Sequence, residues 1–295
     1  MKIILSALPN NNWWGQGTPQ YDDNPAMNQG VIPNQMKVHN QWHELKESLL
    51  LLSSPLEIIS FPKSLDSDIP STWKHDYVFM RDLFISNQCG DVVIARFREK
   101  EREAEEEIIK EWLSKQNLNV HILPFDKKYY MEGGEFYYCP KEKILFAGAS
   151  RNNTIGNIKT AELLNIKELI QLESKAFHLD TIFTPVFNDK HELCLMICCT
   201  QLLKKNSLEK LKILSSKTGI QLLDISTDEA IGTQNKLGSF AVNCLPTPGN
   251  LIGASPFTTN SIKIALNEMK INHTLVPLTQ FHLSGGSAHC LTNEL

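Results

Sequence analysis

YVFMRDLFISNQCGDVVIARFREKEREAEEEIIKEWLSKQ, residues 77–116, sets out the unit from which the fold is read. YVFMRDLFI (77–85) and DVVIARF (91–97) are apolar, β-branched and aromatic runs that read as strands. In 99–116 the charged EKEREAEEE leads into Ile108, Ile109, Trp112 and Leu113 at helical spacing. The charge run itself reads as a solvated helix face with Glu–Lys and Glu–Arg neighbours. Four further segments repeat the helical period. They are 41–52 (Trp42, Leu45, Leu49, Leu52), 159–166 (Ala161, Leu163, Leu164), 207–218 (Leu208, Leu211, Leu214) and 260–270 (Ile262, Ala265, Leu266, Met269).

Strand-like runs lie between the helices: KIILSAL at 2–8, LEIISF at 56–61, KILFAG at 143–148, TIFTPVF at 181–187, ELCLMICC at 192–199, SFAVNCL at 239–245 and HTLVPL at 273–278. The helix starts at 41, 99, 159, 207 and 260 are separated by 58, 60, 48 and 53 residues. Such spacing suits five copies of one supersecondary unit, two or three short strands and a helix each, although the residues show no obvious repeat. A closed ring of units hides its strand edges and leaves a pit on its axis. An irregularly spaced α/β sandwich accommodates the same pattern. No Pro/Ser-rich linker divides the chain, so 1–295 reads as a single domain. The stretch 9–36, rich in Asn, Gln, Pro and Gly with Trp13, Trp14 and Tyr21, is too long for a plain connection. It is either a flexible tail or a lid loop carrying aromatics. The stretches 62–75 and 224–237 also read as loops.

Composition narrows the function. Of 295 residues 42% are hydrophobic and 21% charged, the balance of a globular protein, and the net charge is -4. No basic field is expected to hold nucleic acid or an anionic membrane. No apolar run nears the roughly 20 residues of a membrane helix, and MKIILSAL reads as a first strand rather than a signal peptide. Seven cysteines without a CxxC pair point to a reducing, cytoplasmic setting. Cys194, Cys198 and Cys199 read as buried small hydrophobes in a strand rather than metal ligands.

Four local signals carry chemistry. Arg81 and Asp82 lie in an apolar run, where charges must be paired or functional. Glu132-Gly133-Gly134-Glu135 offers a tight turn beside an unhindered carboxylate. In His178-Leu179-Asp180-Thr181, strand alternation would put His178 and Asp180 on one face. Ser284-Gly285-Gly286-Ser287-Ala288-His289-Cys290 is a Gly-rich turn delivering a thiol. The spacings are 50 from Asp82 to Glu132, 46 from Glu132 to His178, and 112, twice 56, from His178 to Cys290. In a ring of five units these positions converge on the axis. Carboxylates, an imidazole and a thiol in one pit suit attack by a thiolate on a cationic carbon.

Taken in order, these motifs resemble the guanidino-group modifying enzymes: arginine deiminases, dimethylarginine dimethylaminohydrolases and amidinotransferases. The resemblance runs over nearly the whole chain, through Asn24-Pro25-Ala26-Met27, FMRD (79–82), MEGGE (131–135), GASRNN (148–153), HLDTIFT (178–184), AVN (241–243) and SGGSAHCLT (284–292). It implies an α/β fold, a five-bladed pseudo-symmetric ββαβ propeller known as a pentein. It also implies roles: Cys290 as nucleophile, His178 as general acid/base, Glu132 as its orienting partner, and Asp82 and Asp180 as grips on the guanidinium. Arg151 would hold a substrate carboxylate, with Arg98 or Arg102 as a second such arginine. Asn153 stands where the family usually has Thr, and Leu83 where Pro usually follows FTRD. The small-molecule guanidino substrate would be hydrolysed through a covalent amidino-thioether, with no metal or cofactor called for. The segment from Asn28 through Arg81, 54 residues, has no space for the large helical insertion of long bacterial deiminases. The reading is therefore a compact hydrolase of arginine or an arginine derivative. The same residues would serve an amidinotransferase, and the fold also occurs in catalytically silent binding proteins. Neither the leaving group nor the oligomeric state is written in the sequence.

Overall fold

A computed structural model describes residues 1–14, 21–66, 75–126, 128–233 and 235–295. The chain opens with strand β1 (Ile3–Ser6), helix α1 (Gln35–Leu50) and strand β2 (Leu56–Ile59). Three units of one pattern follow. They are β3 (Phe84–Ser86), β4 (Asp91–Ile94), α2 (Glu103–Ser114) and β5 (Asn119–His121); β6 (Phe136–Cys139), β7 (Ile144–Gly148), α3 (Thr154–Leu163) and β8 (Glu168–Leu172); and β9 (Phe183–Phe187), β10 (Leu193–Cys198), α4 (Lys205–Thr218) and β11 (Gln221–Asp224). A two-stranded hairpin, β12 (Gly232–Thr233) and β13 (Lys236–Leu237), precedes a further unit: β14 (Leu245–Thr247), β15 (Asn250–Gly253), α5 (Asn260–Glu268) and β16 (Asn272–Leu275). Short helices α6 (Thr279–His282) and α7 (Ala288–Leu291) lead to β17 (Thr292–Glu294), which returns to pair with β1.

The fold is therefore α/β and built of small sheets. Five of them are three-stranded: β17-β1-β2, β3-β4-β5, β6-β7-β8, β9-β10-β11 and β14-β15-β16. In each the middle strand is antiparallel to the first and parallel to the third. The parallel step needs a crossover, and a helix supplies it every time. Three apolar clusters fill the interior, and Cys198 and Cys199 at the end of β10 are buried in one of them. No described helix is long and apolar enough to cross a membrane.

Helix limits differ from the periodicity where caps decide. Helix α1 starts at Gln35 because Asn34 Oδ1 accepts the Lys37 amide at 3.1 Å; its buried stripe is Val38, Trp42, Leu45 and Leu49. Helix α3 starts at Thr154, where Asn153 Oδ1 accepts from Gly156 N at 2.7 Å. The FMRD and HLDT segments correct the strand reading, whereas EGGE makes the tight turn expected of it. All three form 3-10 turns, at Met80–Leu83, Gly133–Glu135 and Leu179–Thr181, and the strands begin only afterwards. Segment 239–242 likewise forms no strand, and 224–237 contains the β12–β13 hairpin.

These turns touch one another in sequence. Asn293 Nδ2 donates to Met80 O and Phe84 O; Glu135 Oε2 accepts the Leu179 amide; Asn243 Nδ2 donates to Asp180 O and contacts Cys290. Contact is closest at the glycines. A Cβ on Gly134 would lie 2.6 Å from His178 Nδ1 and 2.7 Å from Asp82 Oδ1, so glycine is needed there to let the turns meet.

Candidate active site

The heads of successive first strands bring the reactive side chains together around a cavity of about 300 Å³, counting its open mouth. Asp82, Arg102, Arg151, His178 and Cys290 line it, with Tyr21, Asn24 and Met27 from the N-terminal stretch. Trp13, Trp14 and Tyr21 are buried and anchor parts of 9–36 on the body of the protein, while 28–32 are exposed. Trp13 Nε1 donates to His75 O at 3.0 Å, and its ring meets Phe79 and Phe281. Residues 15–20 of that stretch, and 67–74 of the expected 62–75 loop, lie outside the described residues.

His178 is held from both sides. Its Nε2 donates to Glu132 Oε2 at 2.8 Å, which leaves Nδ1 on the other edge, 3.6 Å from Asp82 Oδ1. Burial disfavours the imidazolium, but Asp82 and Glu132 outweigh it and raise the His178 pKa to about 9. Burial also works against the Glu132 carboxylate. Arg151 and the His178 hydrogen bond nevertheless hold it well below the usual carboxylate range. The other glutamate of the pair is structural: Glu135 accepts from Ser150 N, Arg151 N and Leu179 N, tying the SRNN and HLDT segments together.

Cys290 sits in α7 with its thiol 3.2 Å from Asp180 Oδ2, to which it donates. Burial, then Asp180 and Asp82, push its pKa well above an ordinary thiol's, so the ligand-free protein carries SH. Asn243, which the sequence reading places in the AVN motif without a role, clamps this residue: Nδ2 donates to Sγ at 3.2 Å and Oδ1 accepts Cys290 N at 3.3 Å. Burial raises Asp180 to about 7, with His178 opposing and Asp82 reinforcing. Asp82 Oδ1 and Asp180 Oδ1 are both buried and have no hydrogen-bond partner among the described residues.

The two arginines divide differently from expectation. Arg98 is 39% exposed and pairs with Asp23 and Glu99 away from the cavity lining. Arg102 faces the cavity, 2% exposed, with Nη1 on Asp82 Oδ2 at 2.6 Å and Nη2 on Glu105 Oε2 at 2.8 Å. The charge run is thus not wholly solvated, since Arg102 and Glu105 are buried. Arg151 lies between the Tyr21 and Phe177 rings and makes a two-point contact with Asp23, Nη2 to Oδ1 at 2.7 Å and Nε to Oδ2 at 3.2 Å. Its neighbour Asn152 fixes the Glu132 amide through Oδ1 at 2.6 Å.

Residues 66–295 match the model of the eukaryotic N,N-dimethylarginine dimethylhydrolase family. The chain belongs to that family. The guanidino-group modifying superfamily read from the motifs is thus upheld. This dimethylarginine dimethylhydrolase family member is 25% identical to the uncharacterized protein ZK1307.1 of Caenorhabditis elegans over 281 residues, 94% of this chain and 90% of that one. It is 28% identical to AgrE of Nostoc sp., a bifunctional arginine dihydrolase/ornithine cyclodeaminase, over 208 residues. That match takes in 69% of this chain and 27% of AgrE, so the likeness concerns about a quarter of the bifunctional protein. Among solved structures, the N-terminal domain of ArgZ covalently bound to a reaction intermediate superposes with a TM-score of 0.79 at 22% identity, over 99% of this chain and 96% of that domain. A dimethylarginine dimethylaminohydrolase adduct with 4-chloro-2-hydroxymethylpyridine gives 0.68 at 14% identity, over 100% and 99%. At these identities the superpositions speak for the fold.

Proposed function

We propose that residues 1–295 form one catalytic domain, a five-bladed pseudo-symmetric propeller, that hydrolyses the guanidino group of arginine or an arginine derivative, methylated arginine included. One observation carries the reading: among the described residues, the buried Asp82 Oδ1 and Asp180 Oδ1 have no hydrogen-bond partner, and they lie close to an imidazolium and a thiol. Burying a carboxylate oxygen that accepts no hydrogen bond is costly, and a planar cation with several N–H groups is the ligand that satisfies two of them at once. The five like-ordered sheets, with reactive residues at the heads of their first strands, support the propeller.

The chemistry follows from the charges. A guanidinium between Asp82 and Asp180 brings a positive charge beside Cys290 and lowers the cost of the thiolate, the thiol proton being released to solvent as the substrate binds. The thiolate adds to the guanidino carbon. His178, protonated at neutral pH, delivers its Nδ1 proton to the departing nitrogen as the C–N bond breaks, and ammonia or an amine leaves. A thioether to the amidino carbon remains on Cys290. Neutral His178 then takes a proton from water, whose oxygen adds to that carbon. Collapse breaks the C–S bond, giving a ureido product, citrulline from arginine, and restoring Cys290. Glu132 keeps Nε2 occupied and the ring oriented throughout. Arg151 receives the substrate carboxylate in place of Asp23, with Arg102 rather than Arg98 as the second arginine on the cavity wall. The 9–36 stretch serves as the lid.

The test is to incubate purified protein with arginine, its methylated forms and agmatine, following ureido product and released amine by mass spectrometry. Formation of both in equal amounts supports the reading. No ureido product from any of them defeats it.

A further inference from the structure

His289 has no part in the steps above, yet it is built tightly against the nucleophile. It is 1% exposed. Its Nδ1 lies 2.8 Å from Asp180 Oδ2, the same oxygen that accepts the Cys290 thiol at 3.2 Å. The ring stacks on Tyr137 with centroids 4.2 Å apart and planes 26° from parallel. Its carbonyl accepts from Arg81 Nε at 3.5 Å, and its amide donates to Asn243 O at 3.4 Å. Ring, carbonyl and amide are thus each anchored to a different segment, which fixes the direction in which Nδ1 points.

Burial, with Arg81 and His178 nearby, keeps this imidazole neutral. Asp180 Oδ2 offers only lone pairs in its ionised form, so Nδ1 carries the hydrogen and the bond is charge-assisted. We infer that His289 is a positioning residue for the guanidino hydrolase proposed above: its Nδ1–H pins Asp180 Oδ2 and keeps Oδ1 open for the substrate. Without that donor, Oδ2 keeps only a weak S–H partner. The carboxylate is then free to turn about its terminal torsion, and its ionised form loses the shorter of its two Oδ2 hydrogen bonds. Both changes weaken the grip on a cationic substrate.

The other groups acting on Asp180 are His178, Asp82, Cys290 and Arg81, and Tyr137 lies close enough to feel its charge. All stay in place when only His289 is changed, so the difference between variants isolates its contribution. Two substitutions separate donor from packing. His289→Asn places an amide N–H near the position of Nδ1 but gives up the stack. His289→Phe keeps the stack on Tyr137 and gives up the donor.

The experiment measures arginine binding by calorimetry in a Cys290→Ser background, which removes turnover, across the neutral range. With His289 intact, affinity rises with pH as Asp180 ionises. In His289→Asn this acidic limb stays within about half a unit. In His289→Phe it moves up by about one unit or more, and affinity at neutral pH falls about tenfold or more, the loss expected from one charge-assisted hydrogen bond. An unshifted limb in His289→Phe, or equal shifts in both variants, would overturn the inference. If His289→Phe does not fold, the native protein still decides. A ¹⁵N-labelled histidine spectrum should show, beside the ring N–H signals of the other buried histidines, a protected one belonging to Nδ1 of His289 that moves as Asp180 titrates. An Nε2–H tautomer there would refute the assignment. Failure of the His289-intact protein to bind any guanidino compound would instead refute the hydrolase reading, while the ring-proton titration, which needs no ligand, still reports whether His289 holds Asp180.

Discussion

Replacing Glu132 by Gln keeps the shape of the side chain and removes the charge that faces His178 Nε2 at 2.8 Å. The His178 pKa of about 9 stands above its ordinary 6.5 because Asp82 and Glu132 overcome burial. That excess of about 2.5 units corresponds to roughly 3 kcal/mol of preference for the protonated ring. In Glu132→Gln the burial penalty stays and only Asp82 opposes it, so the pKa should return to 6.5 or below. Catalysis needs the His178 proton for the leaving group, so the alkaline limb of kcat should move from near 9 to below 7. At pH 8 the variant ring would be only a few per cent protonated, a loss of at least about 30-fold on this ground alone. Stability gives a second readout. A histidine raised in the folded state contributes fully below its unfolded pKa of 6.5, and the contribution is lost as pH rises through 9. Urea denaturation of both proteins at about pH 6 and pH 10 should show their stability difference shrinking by about 2–3 kcal/mol across that span. Comparing the two proteins cancels Glu105, which burial also raises, to about 8. An alkaline limb that stays near 9 in the variant, or a stability difference independent of pH, would refute this account of His178.

Asp23→Ala removes the carboxylate that occupies Arg151. Because Asp23 is 34% exposed, stability should change by no more than about 1 kcal/mol. The KM for arginine should fall several-fold while that for agmatine, which lacks a carboxylate, stays put; equal changes would show that Arg151 does not receive a substrate carboxylate. Gly134→Ala places a methyl 2.6 Å from His178 Nδ1 and 2.7 Å from Asp82 Oδ1. It should cost about 1–3 kcal/mol in stability and at least about a hundredfold in turnover, and near-normal rates would contradict the geometry. Asn243→Ala takes away the donor to Cys290 Sγ. Alkylation of Cys290 should then require a higher pH than in the parent, and an unchanged profile would remove Asn243 from the nucleophile's support.

Much of the α/β pattern is legible in sequence because a helix that buries one face leaves a period in its residues. Leu211 and Leu214 of α4 and Ile262, Ala265 and Leu266 of α5 are buried as that period requires. Starts are less legible, since the first turn of α1 is mostly polar and only its Asn34 cap marks it. The reactive motifs misled in a specific way. FMRD and HLDT are apolar around one or two charges and so read as strands, but each is a 3-10 turn at the head of a strand. Strand alternation is therefore not what brings His178 and Asp180 together. Their spacing still pointed to convergence, because it measures the repeat and not the local conformation. Asp23 on Arg151 was invisible, since nothing local in a polar, aperiodic stretch records a partner 128 residues away. Arg98 and Arg102 are alike in sequence, and only the course of the chain into α2 decides which one turns inward.

The central claim is that Cys290 forms the covalent intermediate. Acid quenching of the protein during turnover of arginine, followed by peptide mass spectrometry, tests it directly. A transient mass increase, equal to the amidino-containing fragment, is expected on the peptide that carries Cys290, and none in Cys290→Ser. An adduct on Cys89, Cys139 or Cys244, or full turnover by Cys290→Ser, would contradict it.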